Sequence, residues 1–181
     1  MTMRIYLACT VRGDRGAVAG LRSLVASLEE AGHTILTKHL LEDNVDGAES
    51  ALSERAVYER DITWLDACDV LIADASGSSF GVGFEVGYVL GRSDRTDQRV
   101  VLLYRAGRRD QISRLIVGNA HARCRVLSYE DPDDLIARVS QSLKPISRRA
   151  RVRPRRAWGA SRASGASASP GGSPCRRRTR A

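Results

Sequence analysis

Asp69-Val-Leu-Ile-Ala-Asp-Ala-Ser-Gly-Ser-Ser-Phe-Gly-Val-Gly-Phe-Glu85-Val-Gly87 reads as a strand, a small-residue loop and a helix in direct succession. Asp69–Ala75 is a near-continuous apolar run, the pattern of a strand covered on both faces of a parallel sheet. The Ser/Gly loop after it can turn backbone N–H groups toward an anion, and the helix start adds its dipole. Glu85 lies between Phe84 and Val86, near Val82 and Val89, with no basic residue four positions on. An unpaired carboxylate in such surroundings is costly unless it is used. A bound anion would repel it, so its target is the other end of the bound molecule.

Outward from this stretch, strands alternate with helices. Arg4–Cys9 is a first strand, ending in the polar loop Thr10–Gly16. Val18, Leu21, Leu24, Val25 and Leu28 recur at helical spacing, and Gly32 stops the helix. Thr34–His39 reads as a second strand and Leu52–Ala67 as a helix. After the helix that carries Glu85 come a strand at Arg99–Tyr104, a helix near Gln111–Val117, a strand at Arg125–Tyr129 and a helix over Pro132–Leu143. Such alternation predicts an α/β, flavodoxin- or Rossmann-like three-layer sandwich with five parallel strands in the order 2-1-3-4-5. Ligands then bind where the strand order reverses, at the carboxyl ends of strands 1 and 3. The loops emerging there, Thr10–Gly16 and Ser76–Gly83, are the most glycine- and hydroxyl-rich before residue 144.

Charge divides the chain. Of its 29 Lys and Arg, 12 stand at or after Lys144, where there is no Asp or Glu; the remaining 17 face all 21 acids, a formal charge of −4. The catalytic domain is therefore expected over residues 1–144. Residues 145–181, rich in Arg, Ser, Ala and Gly, cannot bury enough apolar surface to fold and read as disordered. Eleven arginines give that tail at most a non-specific attraction for nucleic acid, and a dispensable solvated extension is the plainer reading. Cys9, Cys68, Cys124 and Cys175 lack metal-ligand spacing and read as free thiols of a cytoplasmic protein. No apolar run is long enough for a membrane span, and Met1–Cys9 reads as a first strand rather than a signal peptide.

At the switch point, Arg12 reads either as a solvated loop charge or as a guanidinium forked onto a phosphate. Thr10, Ser79 and the N–H groups around Gly13, Gly81 and Gly83 could complete an oxyanion cradle. Asp61 reads either as a solvated helix-face charge or as a second carboxylate paired with Glu85. One carboxylate as nucleophile and one as proton donor is the arrangement for cleaving a glycosidic bond with retention. A phosphate grip beside such a pair suggests a sugar phosphate with a leaving group, such as a nucleotide.

Four stretches sharpen that reading: Ile5-Tyr-Leu-Ala-Cys-Thr-Val-Arg-Gly13, Tyr58-Glu-Arg-Asp-Ile-Thr-Trp-Leu65, Asp69-Val-Leu-Ile-Ala-Asp74 and Ser79-Phe-Gly-Val-Gly-Phe-Glu-Val-Gly87. In this order they resemble the 2′-deoxynucleoside 5′-phosphate N-hydrolases of the nucleoside 2-deoxyribosyltransferase superfamily. The resemblance spans about residues 4–143. It implies a homodimeric enzyme without cofactor or metal, hydrolysing the N-glycosidic bond of deoxynucleoside 5′-monophosphates. By position it implies Glu85 as nucleophile at C1′, Asp61 as the carboxylate that helps protonate the departing base or orients the sugar, and Tyr6 beside the sugar. Thr10, Val11, Arg12, Gly13, Ser79, Gly81 and Gly83 match substrate-binding positions. Ser113 matches a serine reaching the phosphate in the neighbouring subunit, and His39 an active-site histidine. From the residues alone, His39 reads better as a strand-end packing group.

The match has departures. Cys9 stands where relatives often carry glycine, Thr10 where they often carry serine, and Lys38 replaces an acidic neighbour of the histidine in some of them. Tyr6 favours a substrate lacking the 2′-hydroxyl, since related ribonucleotide hydrolases tend to have phenylalanine there. The rival readings are a nucleoside deoxyribosyltransferase, a CMP-type ribonucleotide hydrolase, and a nucleotide-binding module without activity.

Overall fold

The computed structural model describes residues 1–144; the tail expected at 145–181, with its disorder and nucleic-acid contact, lies outside the described residues. Strands β1 (Arg4–Ala8), β2 (Thr34–Ile35), β3 (Val70–Asp74), β4 (Arg99–Arg105) and β5 (Cys124–Tyr129) form one parallel sheet. Their order is β2-β1-β3-β4-β5. The helices are α1 (Val18–Glu30), α2 (Val45–Ser50), α3 (Glu54–Ala67), α4 (Phe80–Gly91), α5 (Arg114–Val117) and α6 (Pro132–Leu143).

Period-two alternation along the strands builds two cores. Ile5, Leu7, Val70, Ile72, Val101 and Leu103 point to one face and pack with α1 and α6 residues such as Leu21, Leu24, Leu135 and Val139. Tyr6, Ala8, Leu71, Ala73, Val100 and Leu102 point to the other, against Leu65 of α3 and Val82, Val86 and Val89 of α4. All five residues of β3 are buried, as a central strand sandwiched between helix layers requires. Each fully buried leucine adds about 2 kcal/mol to this framework. The same parity puts Tyr6 on the α4 side of the sheet, which decides what its hydroxyl can reach.

Local chemistry sets the element ends. Gly32, at φ +85°, closes α1 in a Schellman turn: Gly32 N–H donates to Glu29 O and His33 N–H to Leu28 O. Ser53 and Ser79 cap α3 and α4 by accepting from the N–H groups of Ala56 and Val82. Asp131 caps α6 through Asp134 N–H, with Pro132 in the first turn.

Three elements differ from expectation. The second strand, expected over Thr34–His39, is regular only at Thr34–Ile35. The buried Thr37 hydroxyl accepts from Leu7 N–H at 2.9 Å and donates to Leu7 O at 2.6 Å. A side chain thus replaces the ladder, and the backbone leaves the sheet into a 3-10 turn at Lys38–Leu41 that carries His39. The helix expected near Gln111–Val117 is a 3-10 turn at Ala106–Gln111 followed by the single turn α5. Helix α2 was not expected at all. Among the described residues no helix is long and apolar enough to cross a membrane.

Candidate active site

A cavity of about 860 Å³ opens at the carboxyl ends of β1 and β3, where the strand order reverses. Thr10, Val11, Arg12 and Gly13 line it from the first loop, Ser79 and Gly81 from the second, Asp61 from α3 and Glu85 from α4. Tyr6, Gly83, His39 and Ser113 do not line it; Tyr6 is fully buried behind Glu85. Gly83 faces open space on α4, and Ser113 precedes α5.

The two loops interlock. Thr10 Oγ1 accepts from Gly13 N–H at 2.9 Å. A Cβ on Gly13 would lie 2.6 Å from that oxygen and 2.9 Å from Gly77 O; one on Gly77 would lie 2.3 Å from Thr10 Cγ2 and 2.8 Å from Asp14 O. Both glycines are needed for the close approach rather than for an unusual φ. Arg15 anchors the first loop from below, donating to Thr10 O, Leu40 O and Glu42 O at 3.0–3.1 Å. Asp14 ties it to the end of β4 through Arg105 at 2.6 Å, and Arg105 N–H donates to Ser76 Oγ. Buried Asp74 accepts from Tyr129 Oη, Ser76 N–H and Ser76 Oγ, fixing the start of the second loop. The Arg12 guanidinium is largely solvent-exposed and paired with Asp46 of α2 at 2.9 Å.

Glu85 sits deep in the cavity. Tyr6 Oη donates to its Oε1 at 2.6 Å. Burial pushes the Glu85 carboxyl up to about 7; the Tyr6 hydrogen bond partly opposes this, and the charge of Asp61 adds to it. Burial, and then the negative charges of Glu85 and Asp61, raise the Tyr6 phenol, so it remains a donor. Asp61 is also raised, chiefly by burial, with Arg60 pulling the other way. Cys9 lines the cavity beside the first loop, and burial pushes its thiol up to about 12, leaving it neutral.

Behind Asp61 lies a charged cluster. Arg60 Nε donates to Asp61 Oδ1 at 2.9 Å, and its two terminal nitrogens donate to Glu49 Oε1 and Oε2 at 2.9 and 3.1 Å. His39 packs at a tilt on Trp64, with ring centroids 5.4 Å apart. Its Nε2 lies 3.3 Å from Glu49 Oε1 without the alignment of a hydrogen bond. Glu49 itself lines the cavity, so His39 stands one side chain removed from it. Sequence reasoning missed Asp46 and Glu49. Their helix contains Gly47 and shows no apolar period, and their partners Arg12 and Arg60 are distant in the chain.

The arrangement can hold an anion on the two loops and present a desolvated carboxylate, braced by a phenol, with a second carboxylate beside it. Fold and site together define a doubly wound α/β domain with a carboxylate pair at the switch point. The chain belongs to the nucleoside 2-deoxyribosyltransferase family, whose profile matches residues 5–135. A candidate 2′-deoxynucleoside 5′-phosphate N-hydrolase of Thermofilum pendens is 39% identical over 141 residues, covering 78% of this chain and 95% of the relative. The human 5-hydroxymethyl-dUMP N-hydrolase is 32% identical over 130 residues, covering 70% and 72%. Among solved structures, the Clostridium botulinum CMP N-glycosidase BcmB shares the fold at 18% identity and TM-score 0.57, covering 77% of this chain and 99% of that one.

Proposed function

We propose that this protein hydrolyses the N-glycosidic bond of 2′-deoxynucleoside 5′-monophosphates, releasing a free base and 2-deoxyribose 5-phosphate. The observation that carries this reading is Glu85: a largely buried carboxylate, bonded to Tyr6 at 2.6 Å, in a cavity also lined by two glycine- and hydroxyl-rich loops suited to an anion. The names of the relatives from Thermofilum pendens and human support the same substrate class.

In this mechanism the loops and Arg12 hold the phosphate, which positions C1′ against Glu85. The ionised Glu85 attacks C1′, the C1′–N bond breaks, and its electron pair leaves with the base. Asp61 assists by helping to protonate the base or by orienting the sugar. Water then attacks C1′ of the glycosyl ester, giving up the proton that replaces the one taken by the base, and Glu85 departs as carboxylate, so one water is consumed per base released. Tyr6 stabilises the Glu85 anion before it attacks and again as it departs. Its bulk and hydroxyl beside the sugar favour a substrate without a 2′-hydroxyl.

The working unit in this reading is a homodimer, with Ser113 of each subunit reaching the phosphate in the other. Helix α4 supports it: Phe80 is fully exposed and Phe84 half-exposed, with Tyr58 of α3 6.4 Å from Phe84. Exposed aromatics clustered beside a cavity mouth are an association surface.

The test is a panel of ribo- and deoxyribonucleoside monophosphates assayed for free base, with Glu85→Ala as control. Base release from deoxy substrates alone, lost in the variant, is the expected result. Base exchange on unphosphorylated nucleosides would instead make the protein a transferase, and full activity in Glu85→Ala would remove the proposed nucleophile.

A further inference from the structure

We propose that Arg60 is a positioning residue for Asp61: clamped by Glu49 and Trp64, its guanidinium occupies one oxygen of Asp61 and turns the other toward the substrate. The inference rests on the reading of Asp61 as a working carboxylate.

Neighbouring residues on a helix point about 100° apart and do not normally meet. Arg60 and Asp61 are such neighbours, yet Nε donates to Oδ1 at 2.9 Å and a terminal nitrogen lies 2.8 Å from the same oxygen. Two further contacts account for this. Glu49, from α2, takes the outer edge of the guanidinium in a two-pronged bond. Trp64, one turn along α3, lies under its face at 5.0 Å. With both edges and one face engaged, the guanidinium has little rotational freedom, and Oδ1 is held with it. Among the described residues no hydrogen bond is made to Oδ2, and Asp61 lines the cavity.

Charge adds a second role. Glu49, Asp61 and Glu85 are three carboxyl groups around one cavity wall, and Arg60 is the cation bonded to two of them. The groups facing Asp61 are Arg60 from its own helix, Glu49 from α2, His39 from the 3-10 turn, Glu85 from α4 and Tyr6 from β1. Arg60 favours ionised Asp61, whereas Glu49 opposes it. The pair therefore balances the proton affinity of Asp61 while fixing its orientation. Lysine cannot do both, since it is a point charge without the fork.

The test compares Arg60→Gln, Arg60→Lys and Glu49→Gln in the full chain, with circular dichroism to confirm folding. Carbon-13 carboxyl NMR of the free protein reads the Asp61 titration. Its midpoint should rise in Arg60→Gln and fall in Glu49→Gln. In steady-state assays kcat should fall about 10- to 100-fold in Arg60→Gln, with KM within about threefold. Arg60→Lys should restore the midpoint but not kcat. An Asp61 midpoint that moves in neither Gln variant overturns the proposal, as does wild-type kcat in folded Arg60→Gln. If Arg60→Gln does not fold, Glu49→Gln decides by the sign of its shift. Wild-type protein that releases no base overturns the functional reading instead, while the titration still decides the Arg60–Asp61 coupling by itself.

Discussion

The Tyr6 hydroxyl on β1 and the Glu85 carboxylate on α4, 79 residues apart in the chain, share a 2.6 Å hydrogen bond behind the cavity wall. The strand places the phenol, and the helix brings the acid to it. The bond is a charge-assisted donor contact in a desolvated site, where such contacts are strongest.

Removing that donor should weaken the anion. In Tyr6→Phe, kcat is expected to fall about 10- to 100-fold, the effect of losing one hydrogen bond to a charged group. The rising limb of kcat/KM against pH should move to higher pH, because the bond favours ionised Glu85. A reduced kcat with an unmoved limb would show that Tyr6 acts on the sugar alone.

Glu85 itself couples activity and stability to pH in opposite directions. Its carboxyl is raised from 4.5 to about 7 in the fold, so kcat/KM should rise through pH 7 as the proposed nucleophile ionises. Between the unfolded and folded values the native state binds more protons than the unfolded chain. Its contribution to stability is thus present below pH 4.5 and is lost as pH rises through about 7. The cost at pH 8 is on the order of 3 kcal/mol. Glu85→Gln should be more stable than wild type at pH 8 and close to it at pH 4, as read by urea denaturation.

The sheet and its layers could be read from residue pattern, because apolar alternation on β1 and the continuous run of β3 are local signals. Parity even assigns Tyr6 to the face that α4 covers. Helix α2 could not be read that way: Val45–Ser50 has one buried apolar residue and is bound to the domain by Arg12–Asp46 and Arg60–Glu49. The early end of β2 was hidden because a threonine hydroxyl, not a glycine or proline, stops the ladder. Arg60 stood in plain view beside Asp61, but adjacency on a helix argues against contact, and the residue that reverses this, Glu49, lies on another element.

Arg12 is held by Asp46 and exposed. Arg12→Ala should raise KM for monophosphates at least about tenfold with little change in kcat, since the proposed bidentate grip on the phosphate is lost. Asp46→Asn should lower KM by freeing the guanidinium. Steady-state assays at low and moderate salt check both, and the Arg12 effect should shrink as salt rises.

Gly77→Ala should destabilise the protein by about 1–3 kcal/mol, because its methyl group would lie 2.3 Å from Thr10 Cγ2 and 2.8 Å from a backbone oxygen. Gly107→Ala, where the added methyl meets nothing within 4 Å, serves as control and should stay within about 0.5 kcal/mol. Thermal melts of the two variants make the comparison.

If the proposed homodimer uses the α4 aromatics, Phe84→Ser, at a side chain 52% exposed in the chain, should leave the fold intact and shift sedimentation velocity toward the monomer. Activity should fall with it if the neighbouring Ser113 completes the phosphate grip. A wild-type protein that sediments as a monomer overturns the proposed homodimer.

The close fit of Gly13 and Gly77 also sets where this scaffold can diversify. The gap between the two loops is a fixed gauge, and any side chain added to either glycine jams it. Another part of the wall, drawn from residues 45–57, is tied on by ion pairs such as Arg12–Asp46 and includes Leu52 and Val57 among the cavity's lining. Under the proposed function, substitution and insertion in that wall can reshape the cavity at little cost, while the interlocked loops tolerate no such change. Directed evolution that randomises residues 45–57 and leaves the glycines alone is the route by which this scaffold would take up a differently shaped ligand.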